Sequence, residues 1–143
     1  ATGEITTAFF AVGEYTVILT VTDDDGDTGS DEVTIMVNEA ANIAPVADAG
    51  DDQALTTAYP YDPVAVTFDG SGSSDPDGMI TDWEWTWDGG SATGEITTAF
   101  FAVGEYTVIL TVTDDDGDTG SDEVTIMVNE AANIAPVADA GDD

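Results

Sequence analysis

The sequence predicts an all-β fold, an antiparallel β-sandwich of about seven strands in tandem repeats. Three observations predict it. Apolar and polar residues alternate with period two, and helical periodicity is absent. Clusters of Gly, Asp, Ser and Pro ("DGSGSSDPDG", "WDGGSATG", "DDDGDTG") separate the alternating runs. Residues 1–52 are identical to residues 92–143, an offset of 92 − 1 = 91 residues, which is the size of a whole domain.

In chain order, the first candidate strands are "PVADA" from Pro45 and "QALT" from Gln53. "VAVTF" places Val64, Val66 and Phe68 on one face. "WEWTW" places Trp83, Trp85 and Trp87 on one face, with Glu84 and Thr86 opposite. "EITTAFF" from Glu95 follows. "EYTVILTV" aligns Tyr106, Val108, Leu110 and Val112, and "EVTIMV" aligns Val124, Ile126 and Val128. The expected organisation is the last three strands of a preceding repeat in 1–38, a linker in 39–45, a complete domain in 46–129, and a linker plus the next first strand in 130–143. The native object is therefore expected to be a long array or filament, to be tested by its intact mass.

The period resembles a polycystic kidney disease (PKD) domain, an immunoglobulin-like sandwich. The resemblance rests on "NIAPVADAG" (42–50), "VTFDGSGSSDPDG" (66–78), "ITDWEWTWDGG" (80–90) and "FFAVGEYTVILTVTDDDG" (100–117). The family's aromatic-x-Trp-x-aromatic-Gly-Asp-Gly pattern is met by Trp83 to Gly90, with its Asp and Gly exchanged. Gly104, Tyr106 and Val108 match the Gly-x-Tyr-x-Val segment. The resemblance implies packing roles for Trp85 and Tyr106. It also implies a spacer, an adhesive unit or an accessory of an extracellular hydrolase, and hence an extracellular or cell-surface location.

Charge narrows the function. The chain holds 31 Asp and Glu and no Lys, Arg or His, a formal net charge of −31. No side-chain cation exists to meet a phosphate, so nucleic acid is not an expected partner, nor is an anionic membrane surface. No stretch is long and apolar enough to span a bilayer. There is no Cys, hence no disulfide framework or thiolate metal site. With no His, Lys, Arg or Cys, no nucleophile–base pair can be assembled, and the chain is not expected to be an enzyme. Self-repulsion on this scale should loosen a compact state unless cations bind.

The acidic residues cluster in loops. With the strands of the sandwich lettered A to G, "SGSSDPDG" falls in the B–C loop and "DDDGD" in the F–G loop. In an immunoglobulin-like sandwich these loops share one end with the start of the first strand. Three oxygen-rich segments should therefore meet there: Asn38, Glu39 and Asn42; Asp75 and Asp77; and Asp114, Asp115, Asp116 and Asp118. Asp23 and Asp25 repeat the last loop one period upstream, and Asn133 repeats Asn42 one period downstream. An all-oxygen donor set suits Ca²⁺, which takes six to eight such ligands. Zinc and copper favour His or Cys, and magnesium keeps more water. The family resemblance implies calcium at Asn42, Asp75, Asp77 and Asp114. An EF-hand does not fit: "SSDPDGMITDWE" begins with Ser73 and runs into a strand where a helix is required. Asp48, Asp51 and Asp52 are candidates for a second site, and Asp122 and Glu123 read as a solvated strand edge.

The functional expectation is a structural repeat of an extracellular filament or stalk. Calcium would stiffen its domain junctions and offset its charge, and its partners would be other copies of the same repeat. The alternative is an adhesive or carbohydrate-binding module, which would present an exposed aromatic platform.

Overall fold

A computed structural model describes residues 3–59 and 62–141. The chain divides into two units, Ala1–Ala41 and Asn42–Asp143. The first unit contains an antiparallel hairpin of β1 (Gly13–Thr22) and β2 (Thr28–Val37). The second contains seven strands among the described residues: β3 (Gln53–Thr57), β4 (Val64–Asp69), β5 (Ile80–Trp87), β6 (Gly90–Thr93), β7 (Ile96–Phe101), β8 (Gly104–Asp114) and β9 (Thr119–Glu130). Five form one sheet in the order β3-β9-β8-β5-β6, and β4 pairs with β7 in the other.

The period-two reading predicts the buried face. Val66 and Phe68 of β4 and Phe101 of β7 share a core with Trp85 of β5, with Val108, Leu110 and Val112 of β8, and with Val124, Ile126 and Val128 of β9. Phe68 stacks on Trp85 with centroids 4.9 Å apart and 16° between planes, joining the two sheets. The Trp85 indole Nε1–H donates to the Gly94 carbonyl at 3.0 Å, so its one polar group is satisfied. Phe101 meets Tyr106 edge-on at 4.8 Å. Trp83 and Trp87 are half-buried against the same core.

Several expectations are corrected. β3 runs parallel to β9, so the domain is not wholly antiparallel. The segment before β3 causes this: it travels along β9 from Gly120 onward. The Asp122 carboxylate accepts the Ala49 N–H at 2.8 Å, and the Thr125 N–H donates to Asp52 at 2.7 Å. β3 thus arrives already aligned with β9. "PVADA" is not a strand and makes one bridge, Val46 with Ser74. "WDGGSATG" contains a strand, β6, because Asp88 and Gly89 close a tight turn from β5, and Gly89 takes φ 93° there. The domain begins at Asn42, inside the expected linker, because Asn42 and Ile43 bond to its loops. No strand follows β9 through residue 141.

The duplicated hairpin separates local from tertiary effects. Gly13 faces Val37 and Gly104 faces Val128, and the whole register repeats. Yet Leu19 is 60% exposed where Leu110 is 0%. Pairing and turn are encoded within 25 residues, whereas burial needs β4, β5 and β7. The expected third strand of the first unit is absent for the same reason. "EITTAFF" at 95–101 supplies β7, which pairs with β4, whereas described residues 3–12 carry no strand. The β4 sequence "VAVTFD" occurs once.

Candidate functional site

The β8–β9 turn organises itself. The Asp114 Oδ1 accepts the N–H groups of Asp116 at 3.0 Å and Asp118 at 2.8 Å. The Asp114 N–H donates to the Asp118 carbonyl at 3.0 Å. This side-chain-to-backbone wrap suits Asp, and Gly117 supplies the left-handed φ of 95° that closes it. The β1–β2 turn repeats it, with Asp23 Oδ1 accepting from Asp25 and Asp27 at 3.1 and 2.8 Å.

Three segments meet at this end of the second unit. The Asn42 Nδ2 donates to Asp114 Oδ2 and Asp118 Oδ2, both at 2.9 Å. The Ile43 N–H donates to the Asp77 carboxylate at 3.1 and 3.3 Å. From the β4–β5 loop, the Met79 N–H donates to Asp115 Oδ1 at 3.0 Å. The Val46–Ser74 bridge and the Asp48 N–H on Ser73 Oγ at 3.0 Å tie the lead-in segment to that same loop. Gly78 is required by proximity. A Cβ there would collide with Asp115 Oδ1 and lie 2.7 Å from Asp75 Oδ2, so these two oxygens approach one spot.

The electrostatics leave one loose end. Asp114 is 2% exposed. Its hydrogen bond from the Asn42 amide, joined by backbone N–H groups of its own turn, outweighs burial and holds its carboxyl below the usual range. Asp75 Oδ2 is buried and has no hydrogen-bond partner among the described residues. A carboxylate oxygen in that condition is costly unless a cation meets it. The donors available, carboxylate and amide oxygens from three segments, are those of a hard cation. The Asn42 NH₂ lies between two carboxylates, where a cation would draw them together, and a half-turn of the amide would offer Oδ1 in its place. Among the described residues, no three acidic side chains are already arranged as a metal cage. Residents of this site would therefore have to draw the loops inward.

Asn42, Asp75, Asp77, Asp114, Asp115 and Asp118 are brought together. Asp116 is exposed on the turn and contributes its N–H to Asp114. Asn38, Glu39, Asp23 and Asp25 are exposed residues of the first unit. Asn133 is exposed beyond β9. Asp48 and Asp52 bind backbone N–H groups, of Gly50 and Thr125 respectively. Asp122 corrects the sequence reading. It is half-buried and holds Ala49 in place, a contact between residues 73 apart that no local pattern could reveal.

A profile of the PKD domain matches residues 42–128. The chain is 37% identical over 141 residues to the mouse (Mus musculus) dyslexia-associated protein KIAA0319-like protein. That alignment covers 92% of this chain and 13% of that protein. It is 39% identical over 114 residues to the pre-pro-metalloprotease PrtV of Vibrio cholerae, covering 78% of this chain and 11% of that one. The solution structure of the PKD domain from KIAA 1837 protein superposes with a TM-score of 0.52 at 28% identity, covering 69% of this chain and all of that domain. The chain thus spans only a small part of the full-length relatives it matches.

Proposed function

The chain belongs to the PKD domain family, and on that premise we propose that it is a structural module of an extracellular or cell-surface repeat protein. Its loop end takes up Ca²⁺. The observation that carries this reading is the buried Asp75 Oδ2, which has no hydrogen-bond partner among the described residues and which, with Asp115 Oδ1, approaches one spot beside Gly78. Asp75, Asp77, Asp114, Asp115, Asp118 and the Asn42 amide would hold the ion. It would supply positive charge that a chain of net charge −31 lacks. Ligands drawn from the lead-in segment and both loops would fix the entry of the chain into the domain and suppress hinge motion there. The 52-residue identity at an offset of 91 residues supports an array in which Asp23, Asp25 and Asn133 belong to equivalent sites of neighbouring periods. Its partners would be other copies of the repeat.

A spacer role needs no catalytic pair, and the composition offers none. The adhesive alternative calls for an exposed aromatic platform; Trp83, Trp85 and Trp87 pack against the core, whereas Tyr59 and Phe100 are exposed. An exported setting suits the relative named as a pre-pro-metalloprotease. It also suits weak sites, since extracellular modules bind Ca²⁺ with Kd of about 10⁻⁴–10⁻³ M. The test is thermal melting with Ca²⁺ and with EDTA. At tenfold excess over Kd, calcium should add about 1.4 kcal/mol, or roughly 5–10 °C for a unit of this size. Equal melting temperatures in the two buffers would remove calcium from the account.

A further inference from the structure

We infer that the free edge of β7 pairs with the same edge of a second copy, joining the two β4–β7 sheets across a twofold axis at Thr98. This rests on the reading in which copies of the repeat are each other's partners, and deepens it with a lateral contact between chains. It does not depend on calcium.

β7 lies inside the second unit, and its sheet stops there. It pairs with β4 on one side, and among the described residues no strand pairs with the other side. The Gly70 N–H donates to the Glu95 carbonyl at 2.8 Å. Along an antiparallel strand, residues alternate between bonding to the partner strand and turning away from it. With Gly70 bonded to Glu95, residues 97, 99 and 101 face β4, and Ile96, Thr98 and Phe100 turn their N–H and C=O groups outward. Two contacts agree with that phase. Thr67 and Thr98, opposite each other as a non-bonded pair, bring their hydroxyls to 3.3 Å. The outward Thr67 carbonyl on β4 accepts from the Gln53 side chain at 3.0 Å. Gln53 thus caps the β4 edge, and among the described residues nothing caps β7 in that way.

Charge and side chains select the occupant. The chain carries 31 Asp and Glu, yet β7 reads "ITTAFF", without the charges or proline that ordinarily blunt an edge. Ile96 is 60% and Phe100 69% exposed on its outer face. The edges of the larger sheet are shorter, β3 with five residues and β6 with four. A second β7 is the complement of the first. Only the register that sets Thr98 against the second copy's Thr98 pairs all three outward residues. Ile96 then faces the second copy's Phe100, and Phe100 its Ile96, two aromatic–β-branched pairs on one face. Glu95 falls opposite the second copy's Phe101, so the two Glu95 residues lie about 20 Å apart along the strands. That is well beyond the screening length of about 8 Å at physiological salt. The contact is isologous and closes at two copies, so it joins arrays side by side.

The chain has no Cys, so single introduced thiols report the pairing. A hydrogen-bonded pair sets its Cα atoms about 5.5 Å apart, within the range of about 4.4–6.8 Å that a disulfide spans. Full-length chains are oxidised in EDTA, at a salt concentration that screens their surfaces, and resolved on a non-reducing gel. Thr98→Cys should form covalent dimers roughly tenfold faster than Thr107→Cys, an exposed position on β8, because pairing raises the local thiol concentration. Ile96→Cys and Phe100→Cys should link to each other when mixed and not to themselves, since like positions lie about 14 Å apart. In sedimentation equilibrium the parent chain should gain mass with concentration. Thr98→Glu, which sets like charges across the axis, should stay monomeric with an unchanged circular dichroism spectrum. Thr98→Cys linking no faster than Thr107→Cys would overturn the contact, as would Ile96→Cys and Phe100→Cys linking to themselves as readily as to each other. Thr98→Glu associating as the parent does would overturn the β7 contact and leave self-association standing. A parent chain that stays monomeric would overturn both, and calcium, absent throughout, plays no part in any of these outcomes.

Discussion

Leu110→Ala and Leu19→Ala are the same substitution in the same sequence, made in two surroundings. Leu110 is 0% exposed, and its Cδ2 reaches within 3.2 Å of where a Cβ on Gly70 would lie, beside Trp83 and Trp85. Leu19 is 60% exposed. Truncating a buried Leu costs about 2–5 kcal/mol, the lost transfer energy plus a cavity that neighbours fill incompletely. The tight aromatic packing around Leu110 limits that collapse, which favours about 3 kcal/mol. With roughly 4–8 °C lost per kcal/mol for a domain of this size, melting of the second unit should fall by roughly 12 °C or more. Leu19→Ala should change it by less than about 3 °C, as an exposed substitution in the other unit. All three tryptophans, Trp83, Trp85 and Trp87, lie in the second unit, so their fluorescence reports its unfolding selectively. Equal shifts for the two variants, or a Leu110→Ala shift below about 3 °C, would refute the claim that the second hairpin closes the core and the first does not.

Three further outcomes follow from the loop end and its surroundings. Gly78→Ala should abolish the calcium response of the melt by driving apart Asp75 and Asp115, while the calcium-free protein keeps its strand spectrum by circular dichroism. Asp122→Ala removes the acceptor of the Ala49 N–H and should destabilise the second unit by about 1–3 kcal/mol, read by denaturant titration. In calcium-free buffer, Asp114 is held low mainly by the Asn42 amide and Asp69 mainly by Ser71. For carboxyls lowered on folding, the stabilisation is present above the unfolded value of about 3.9 and is lost as pH falls through the folded values. The stability advantage of the parent chain over Asn42→Ala, in which Asp114 loses its main partner, should therefore hold above about pH 5 and shrink below about pH 4, and an advantage independent of pH in that range would contradict the assignment.

The buried faces were readable because strand periodicity writes them locally. Val66 and Phe68, the three Trp residues, and Val108 to Val112 alternate as the pleat requires. The β8–β9 turn was readable for the same reason, since Asp114 wraps its own backbone and Gly117 provides the closing φ. The parallel entry of β3 was not readable, because it depends on Asp122 and Asp52 making contacts across 73 residues. β6 was hidden in a Gly-rich stretch whose residues serve a tight turn and a short edge strand alike. Of the candidate ligands, those on the two loops other than Asp116 converge with Asn42 because the sandwich brings its loop ends together. Gly78, by contrast, gained its role from what approaches it, which composition cannot express.

The most direct test of the calcium site is isothermal titration of Ca²⁺ into the full chain and into its Asp75→Asn variant. The account predicts binding with Kd of about 10⁻⁴–10⁻³ M in the parent chain, and at least one site fewer in the variant, whose fold and melting temperature in EDTA are retained. Equal calcium binding by both proteins would contradict the assignment of Asp75, and absence of binding by the parent would contradict the calcium site itself.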